Sequence, residues 1–92
     1  MRAFAPNAQA LFTELDDGTG VLLHLGTKFY FTLNPTAVAV WKALGSKGEA
    51  VTAEHLAARL HAEFQVDEPT AARDVEAILA DLLADGLVVE KR

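Results

Sequence analysis

The hydrophobic period of this chain changes at Leu33–Asn34, and that change constrains its fold more than any other feature. Before it, apolar residues alternate with a period of about two, as in half-buried strands; after it they recur every three or four residues, as on one face of a helix. A chain of 92 residues has room for one core, so the sheet and the helices must pack on each other. The expectation is a single α+β domain over residues 1–92, with a three-stranded antiparallel sheet followed by three helices.

The strands are expected at about residues 9–15, 20–25 and 28–33. Ala10, Phe12 and Leu15 alternate loosely, Val21, Leu23 and Leu25 alternate with Leu22 and His24, and Phe29, Phe31 and Leu33 alternate with Lys28, Tyr30 and Thr32. The first connection, Asp16 to Gly20, is built of residues that tolerate left-handed backbone. In the second, Gly26-Thr27 puts glycine first, as a two-residue type II′ turn requires. Both faces of the second and third strands carry apolar groups, which predicts a sheet covered on one side and partly covered on the other.

Helices are expected at about 35–45, 52–64 and 68–85. Asn34-Pro35 reads as an N-cap followed by proline at the first helical position, and Val38, Trp41 and Leu44 then share a face up to Gly45. Thr52 caps the second helix, where Leu56, Leu60 and Phe64 form an apolar stripe. The third opens at Asp67-Glu68-Pro69, turns Val75, Ile78, Leu79 and Leu82 to the core, and stops at Asp85-Gly86. Residues 45–50 read as a surface loop, and Lys91-Arg92 as a frayed tail.

Composition excludes several kinds of function. The formal net charge of −5 repels a phosphate backbone, and the eight Lys and Arg residues are scattered, so nucleic acid is a poor partner. With no cysteine there is no disulfide framework or thiolate ligand, and no apolar run is long enough to cross a bilayer. The N-terminus has no apolar core after Arg2, which argues against a secretory signal, so a cytoplasmic protein is expected. His24, His55 and His61 do not make a metal site: positions 55 and 61 lie about 120° apart around a helix. His24, between apolar neighbours in a strand, reads as a hydrogen-bonded structural histidine. Gly18-Thr19-Gly20 joins two strands and lacks the third glycine of a dinucleotide cradle. No nucleophile motif or paired carboxylate is set in a cleft, so neither an enzyme nor a cofactor is expected.

At the junction of sheet and helices the residues become specific. The segment HLGTKFYFTLNPTAVAVWKAL, His24 to Leu44, resembles the PqqD-like family, in which an aromatic strand ends in Leu-Asn and leads into a helix containing a tryptophan. The likeness continues through Val51 to Ala57, Phe64 to Asp67, Asp74 to Leu79 and Leu82 to Val88, covering nearly all of residues 10 to 90. The sequence departs from the pattern at Val38, where glycine is frequent, and at Pro35, where an acidic or polar residue is commoner.

The resemblance implies a winged helix-turn-helix-like domain, known as a RiPP recognition element, that binds the leader of a ribosomally made precursor peptide. It implies that the leader adds as a strand to the edge of Lys28-Phe29-Tyr30-Phe31-Thr32-Leu33 and lies in a groove against the third helix, where Arg73, Asp74, Ala77 and Asp81 stand off the core stripe. A partner enzyme is implied too, a radical-SAM protein as in quinone-cofactor biosynthesis or a leader peptidase as in lasso-peptide maturation. Trp41, on the apolar stripe of the first helix, reads as a core anchor.

Two other readings compete. A winged helix invites DNA binding through the third helix, but from Thr70 to Asp85 it carries one base, Arg73, against Asp74, Glu76, Asp81 and Asp85. The other is a homodimeric assembly module without a peptide ligand, formed by pairing exposed strand edges.

Overall fold

A computed structural model describes residues 2–44 and 50–91; the Gly45 helix stop and most of the 45–50 loop lie outside the described residues. The elements in chain order are β1 (Ala3–Pro6), β2 (Ala10–Glu14), β3 (Gly20–His24), β4 (Tyr30–Leu33), α1 (Pro35–Leu44), β5 (Val51–Thr52), α2 (Ala53–Phe64), α3 (Glu68–Ala84) and β6 (Val88–Lys91). They form two antiparallel sheets around three helices, ordered β2-β3-β4 and β5-β1-β6.

The β2-β3-β4 sheet is the expected meander. Its first turn is closed by Gly18 at φ 89° and by Asp17, whose Oδ1 accepts a hydrogen bond of 3.0 Å from the Thr19 N–H. The second turn differs from expectation. Gly26 does not take left-handed backbone; Lys28 does, at φ 67°, and its N–H donates to the His24 carbonyl at 2.7 Å. The loop is thus wider than two residues, and the imidazole of His24 organises it. Nδ1 of His24 accepts from the N–H groups of Gly26 at 3.0 Å and Thr27 at 3.2 Å, so a side chain does the work assigned to a tight turn.

The register puts Phe12, Leu22 and Phe31 in one row on the covered face, with Leu11, Leu23 and Tyr30 in a row on the other. Leu22 is fully buried and the Phe12 ring packs on Trp41 with centroids 6.3 Å apart, while Leu11 and Tyr30 are exposed. At Gly20 any Cβ would lie 2.6 Å from the Phe12 ring and 3.1 Å from a Val38 methyl, so glycine lets this strand close on α1.

Helix α1 begins as the sequence indicates: the Asn34 side chain accepts from the Ala37 N–H at 2.8 Å. Ala37, Val38, Val40, Trp41 and Leu44 are buried, placing α1 at the centre of the core. Thr52 caps α2 by accepting from the His55 N–H at 3.1 Å. Leu56 and Leu60 are buried, but Phe64 is not; it ends the helix exposed, just before Gln65 takes left-handed backbone at φ 55°. Helix α3 ends in a Schellman motif, with the Gly86 N–H donating to the Leu83 carbonyl at 3.1 Å and the Leu87 N–H to the Leu82 carbonyl at 2.9 Å.

The β5-β1-β6 sheet is not anticipated from the sequence. Central strand β1 buries Phe4 and Ala5, with β6 on one side and the two residues of β5 on the other. Lys91 is therefore part of a strand and not a frayed tail. Arg2 pairs with Glu90 at 2.9 Å and covers the Phe4 ring at 5.2 Å. Between the two sheets, Asn7 donates from its side chain to the Gly86 carbonyl at 2.8 Å and from its backbone to the Leu87 carbonyl at 2.9 Å, tying the end of α3 to the start of the meander.

Candidate functional site

Among the described residues strand β4 is paired on one side only, so its outer edge offers unbonded main-chain groups. Antiparallel alternation identifies them. The His24 N–H donates to the Phe29 carbonyl at 3.0 Å, which fixes which pairs of the ladder are hydrogen-bonded, although the Phe29 N–H itself turns back to the Thr27 hydroxyl at 3.4 Å. The next such pairs are Leu22 with Phe31 and Gly20 with Leu33. Phe31 and Leu33 therefore direct their N–H and C=O groups to β3, as Phe29 does its C=O alone, whereas Tyr30 and Thr32 direct theirs outward. An extended peptide laid along β4 would bond to Tyr30 and Thr32.

Beside that edge runs a groove of about 480 Å³, lined by Tyr30 to Asn34 and Ala37 on one side and by Ile78, Asp81, Leu82, Asp85 and Leu87 on the other. Phe31 packs against the core and Leu33 is buried within it, so the covered face of the strand borders the groove floor. Ile78, Leu82 and Leu87 make that floor apolar, and Asp81 and Asp85 stand on its helical wall. The Asp85–Gly86 end of α3 lies at the hairpin end of β4, because a Cβ on Gly86 would come within 3.5 Å of the His24 ring.

The structure brings together Tyr30, Phe31, Thr32, Leu33 and Asp81 of the residues singled out from sequence. Lys28 and Phe29 fall in the hairpin loop before β4, where Phe29 is 66% exposed and not on the strand's core face. Asp74 and Ala77 are exposed on α3 and outside the groove lining; at about 100° per residue, Asp74 continues the Asp81–Asp85 stripe two turns toward the start of the helix, whereas Arg73 is rotated well away from it. Sequence reasoning did not single out Ala37 or Leu87, took Asn34 and Asp85 only as helix boundaries, and gave Ile78 and Leu82 to the core. The i, i+4 spacing of Asp81 and Asp85 beside Ile78 and Leu82 was the signal available.

A second hollow of about 370 Å³ lies between α2 and α3, floored by Ala53, Ala57, Ala58 and Ala72 and rimmed by Glu54, Glu68 and Glu76. No strand residue lines it. Among the described residues no group of three or more His, Asp and Glu is placed to hold a metal ion, and no helix is long and apolar enough to cross a membrane. His55 and His61 are both exposed, and Nδ1 of His61 bonds to the Val66 carbonyl.

Compared with known families, residues 19–88 match the profile described as coenzyme PQQ synthesis protein D (PqqD). The chain belongs to the PqqD family. Among solved structures this PqqD family member is similar to TbiB1 in complex with the TbiA(beta) leader peptide, at 30% identity and TM-score 0.78, over 91% of this chain and 93% of that one. It is also similar to lasso peptide synthetase B1 complexed with the leader peptide, at 27% identity and TM-score 0.76, over 94% and 96% of the two chains. No curated protein matches the sequence. The α+β arrangement, with three helices and the β2-β3-β4 sheet as the wing, is the winged helix-turn-helix-like form that the PqqD resemblance implies.

Proposed function

We propose that this chain, acting as one recognition domain in the cytoplasm, binds the leader segment of a ribosomally synthesised precursor peptide and presents it to a tailoring enzyme. The observation that carries this reading is the unpaired edge of β4 alongside a groove whose lining mixes apolar and polar groups. The leader adds as a fourth strand, bonding to the outward main chain of Tyr30 and Thr32 while alternate side chains enter the space above Ile78, Leu82 and Leu87. Lys28 and Phe29 flank one end of the bound strand, Phe31 and Leu33 back it, and Asp81 faces it from α3. Asp74 and Ala77 extend the contact for a longer leader, and Arg73, rotated away from that stripe, meets only residues that flank it.

The magnitudes suit a reversible carrier. Each net main-chain hydrogen bond is worth about 0.5–1.5 kcal/mol and a buried apolar side chain about 1.5–3 kcal/mol, set against the cost of ordering the peptide. Binding of about −8 kcal/mol, near micromolar, holds a leader and still releases it. The partner is a leader peptidase or a radical-SAM protein, and this chain performs no turnover of its own. Both similar structures carry a leader peptide, which supports the reading.

The test is fluorescence anisotropy with labelled leaders of the precursor peptides encoded beside this chain. One leader should saturate the protein, and Thr32→Pro, which deletes an outward N–H and spares the ladder to β3, should weaken it at least tenfold without altering the thermal melt. If no leader binds and light scattering shows a dimer that Thr32→Pro dissociates, the edge serves self-assembly instead.

A further inference from the structure

The two acids of the groove stand at the wrong end of α3 for helix stability. The carbonyl end of a helix carries partial negative charge, which cations offset and carboxylates aggravate. Asp81 lies in the last turn of α3 and Asp85 at its C-cap, and that last turn has no basic residue. The helix stop does not require their carboxylates, because Asp85 closes it with its backbone N–H to the Asp81 carbonyl at 3.1 Å and the Schellman bonds are main-chain bonds. Among the described residues neither carboxylate has a Lys or Arg within ion-pair distance, since the ion pairs formed are Arg2 with Glu90 and Lys42 with Glu14. Among the described residues no Lys or Arg lines the groove; Lys28, the base nearest in sequence, sits in the hairpin loop outside the lining.

We infer that the groove selects leaders by charge, taking segments in which a Lys or Arg lies beside an apolar side chain. This inference rests on the leader-binding reading and names the class of leader. The apolar side chain settles on Ile78, Leu82 and Leu87, and the neighbouring cation meets Asp81 and Asp85 at the hairpin end of the strand. There it also offsets the partial negative charge at the carbonyl end of α3. A cation meeting two carboxylates and a helix terminus beside an apolar floor forms charge-assisted hydrogen bonds stronger than those of a free surface pair. An acidic leader segment meets the two like charges of Asp81 and Asp85, with Lys28 outside the groove lining as the nearest base in sequence.

The test takes the leader that saturates the protein and replaces each residue of its pairing segment in turn by Lys and by Glu. At one or two positions the Lys peptide should bind about tenfold more tightly than the Glu peptide, and the gap should narrow as salt rises to about 0.5 M. Asp81→Asn with Asp85→Asn should reduce the gap to about twofold or less, and Asp81→Lys with Asp85→Lys should reverse it. Both double variants should melt at the same or a higher temperature than the parent, because they relieve the helix end while changing what it binds. Binding that is indifferent to charge at every position overturns the charge filter alone. Failure of every leader to bind overturns the leader reading and this inference with it.

Discussion

The two sheets of this small domain are built on opposite principles. In β2-β3-β4 each strand follows its neighbour in sequence and the connections are short turns; in β5-β1-β6 residues 3–6 are joined to residues 51–52 and 88–91. Their edges differ as well. Strand β5 has two residues and β6 carries Glu90 and Lys91, devices that keep edges from pairing with other chains. Strand β4 reads Tyr30-Phe31-Thr32-Leu33, with no charge and no proline. The closing sheet is protected and the wing sheet is left open, which fits a division between a part that holds the fold together and a part that receives a ligand.

The sharpest way to break this comparison is Phe4→Ala. Phe4 is buried in the centre of the closing sheet, and truncation of such a ring costs about 3–5 kcal/mol, a large share of a small domain's stability. Urea unfolding should show that loss by Trp41 fluorescence and by far-UV circular dichroism at the same midpoint; a wing that outlasts the closing sheet would show two. Next is Gly20→Val, which keeps a strand-forming residue but drives a side chain into Phe12 and Val38. Overpacking of this kind should cost about 1–3 kcal/mol, and the loss should be located in the wing by faster amide exchange in β2 and β3.

Asn7→Ala tests the tie between the sheets. Loss of the half-buried bond to the Gly86 carbonyl should cost about 1 kcal/mol, and leader affinity should fall too, because that turn holds Leu87 in the groove floor. The smallest effect belongs to Asp17, whose carboxyl is held below the usual aspartate value of 3.8 by the Thr19 hydroxyl first and the Thr19 N–H second. Its depressed folded-state value means that its stabilisation is present above pH 3.8 and is lost as pH falls through the folded value. Asp17→Ala should accordingly match the parent in strong acid and be slightly less stable than it near neutrality, measured as the difference in melting temperature across pH.

The wing was legible in the sequence because its signals are local. Alternation in Val21 to Leu25 and Lys28 to Leu33, the Asp17-Gly18 turn, and the Asn34 and Thr52 caps are each set by a few neighbouring residues. The second hairpin was misread for the same reason: Gly26-Thr27 looks like a turn by itself, but the His24 imidazole and left-handed Lys28 form the loop. Strands β1, β5 and β6 have two to four residues each, too few to display a period, and each becomes a strand because of a partner remote in sequence.

By itself the sequence determined the order of wing and helices, the helix starts, the core stripe on Val75, Leu79 and Leu82, and the acidic character of α3. The tertiary structure decided which residues meet: that Tyr30 and Thr32 turn their main chain outward, that Ile78 serves the groove, and that Asp85 joins Asp81 there. Periodicity records the burial of each residue, which depends on its own neighbourhood. Hydrogen-bond register and the facing of one element by another depend on distances between segments far apart in the chain, and no local pattern encodes those.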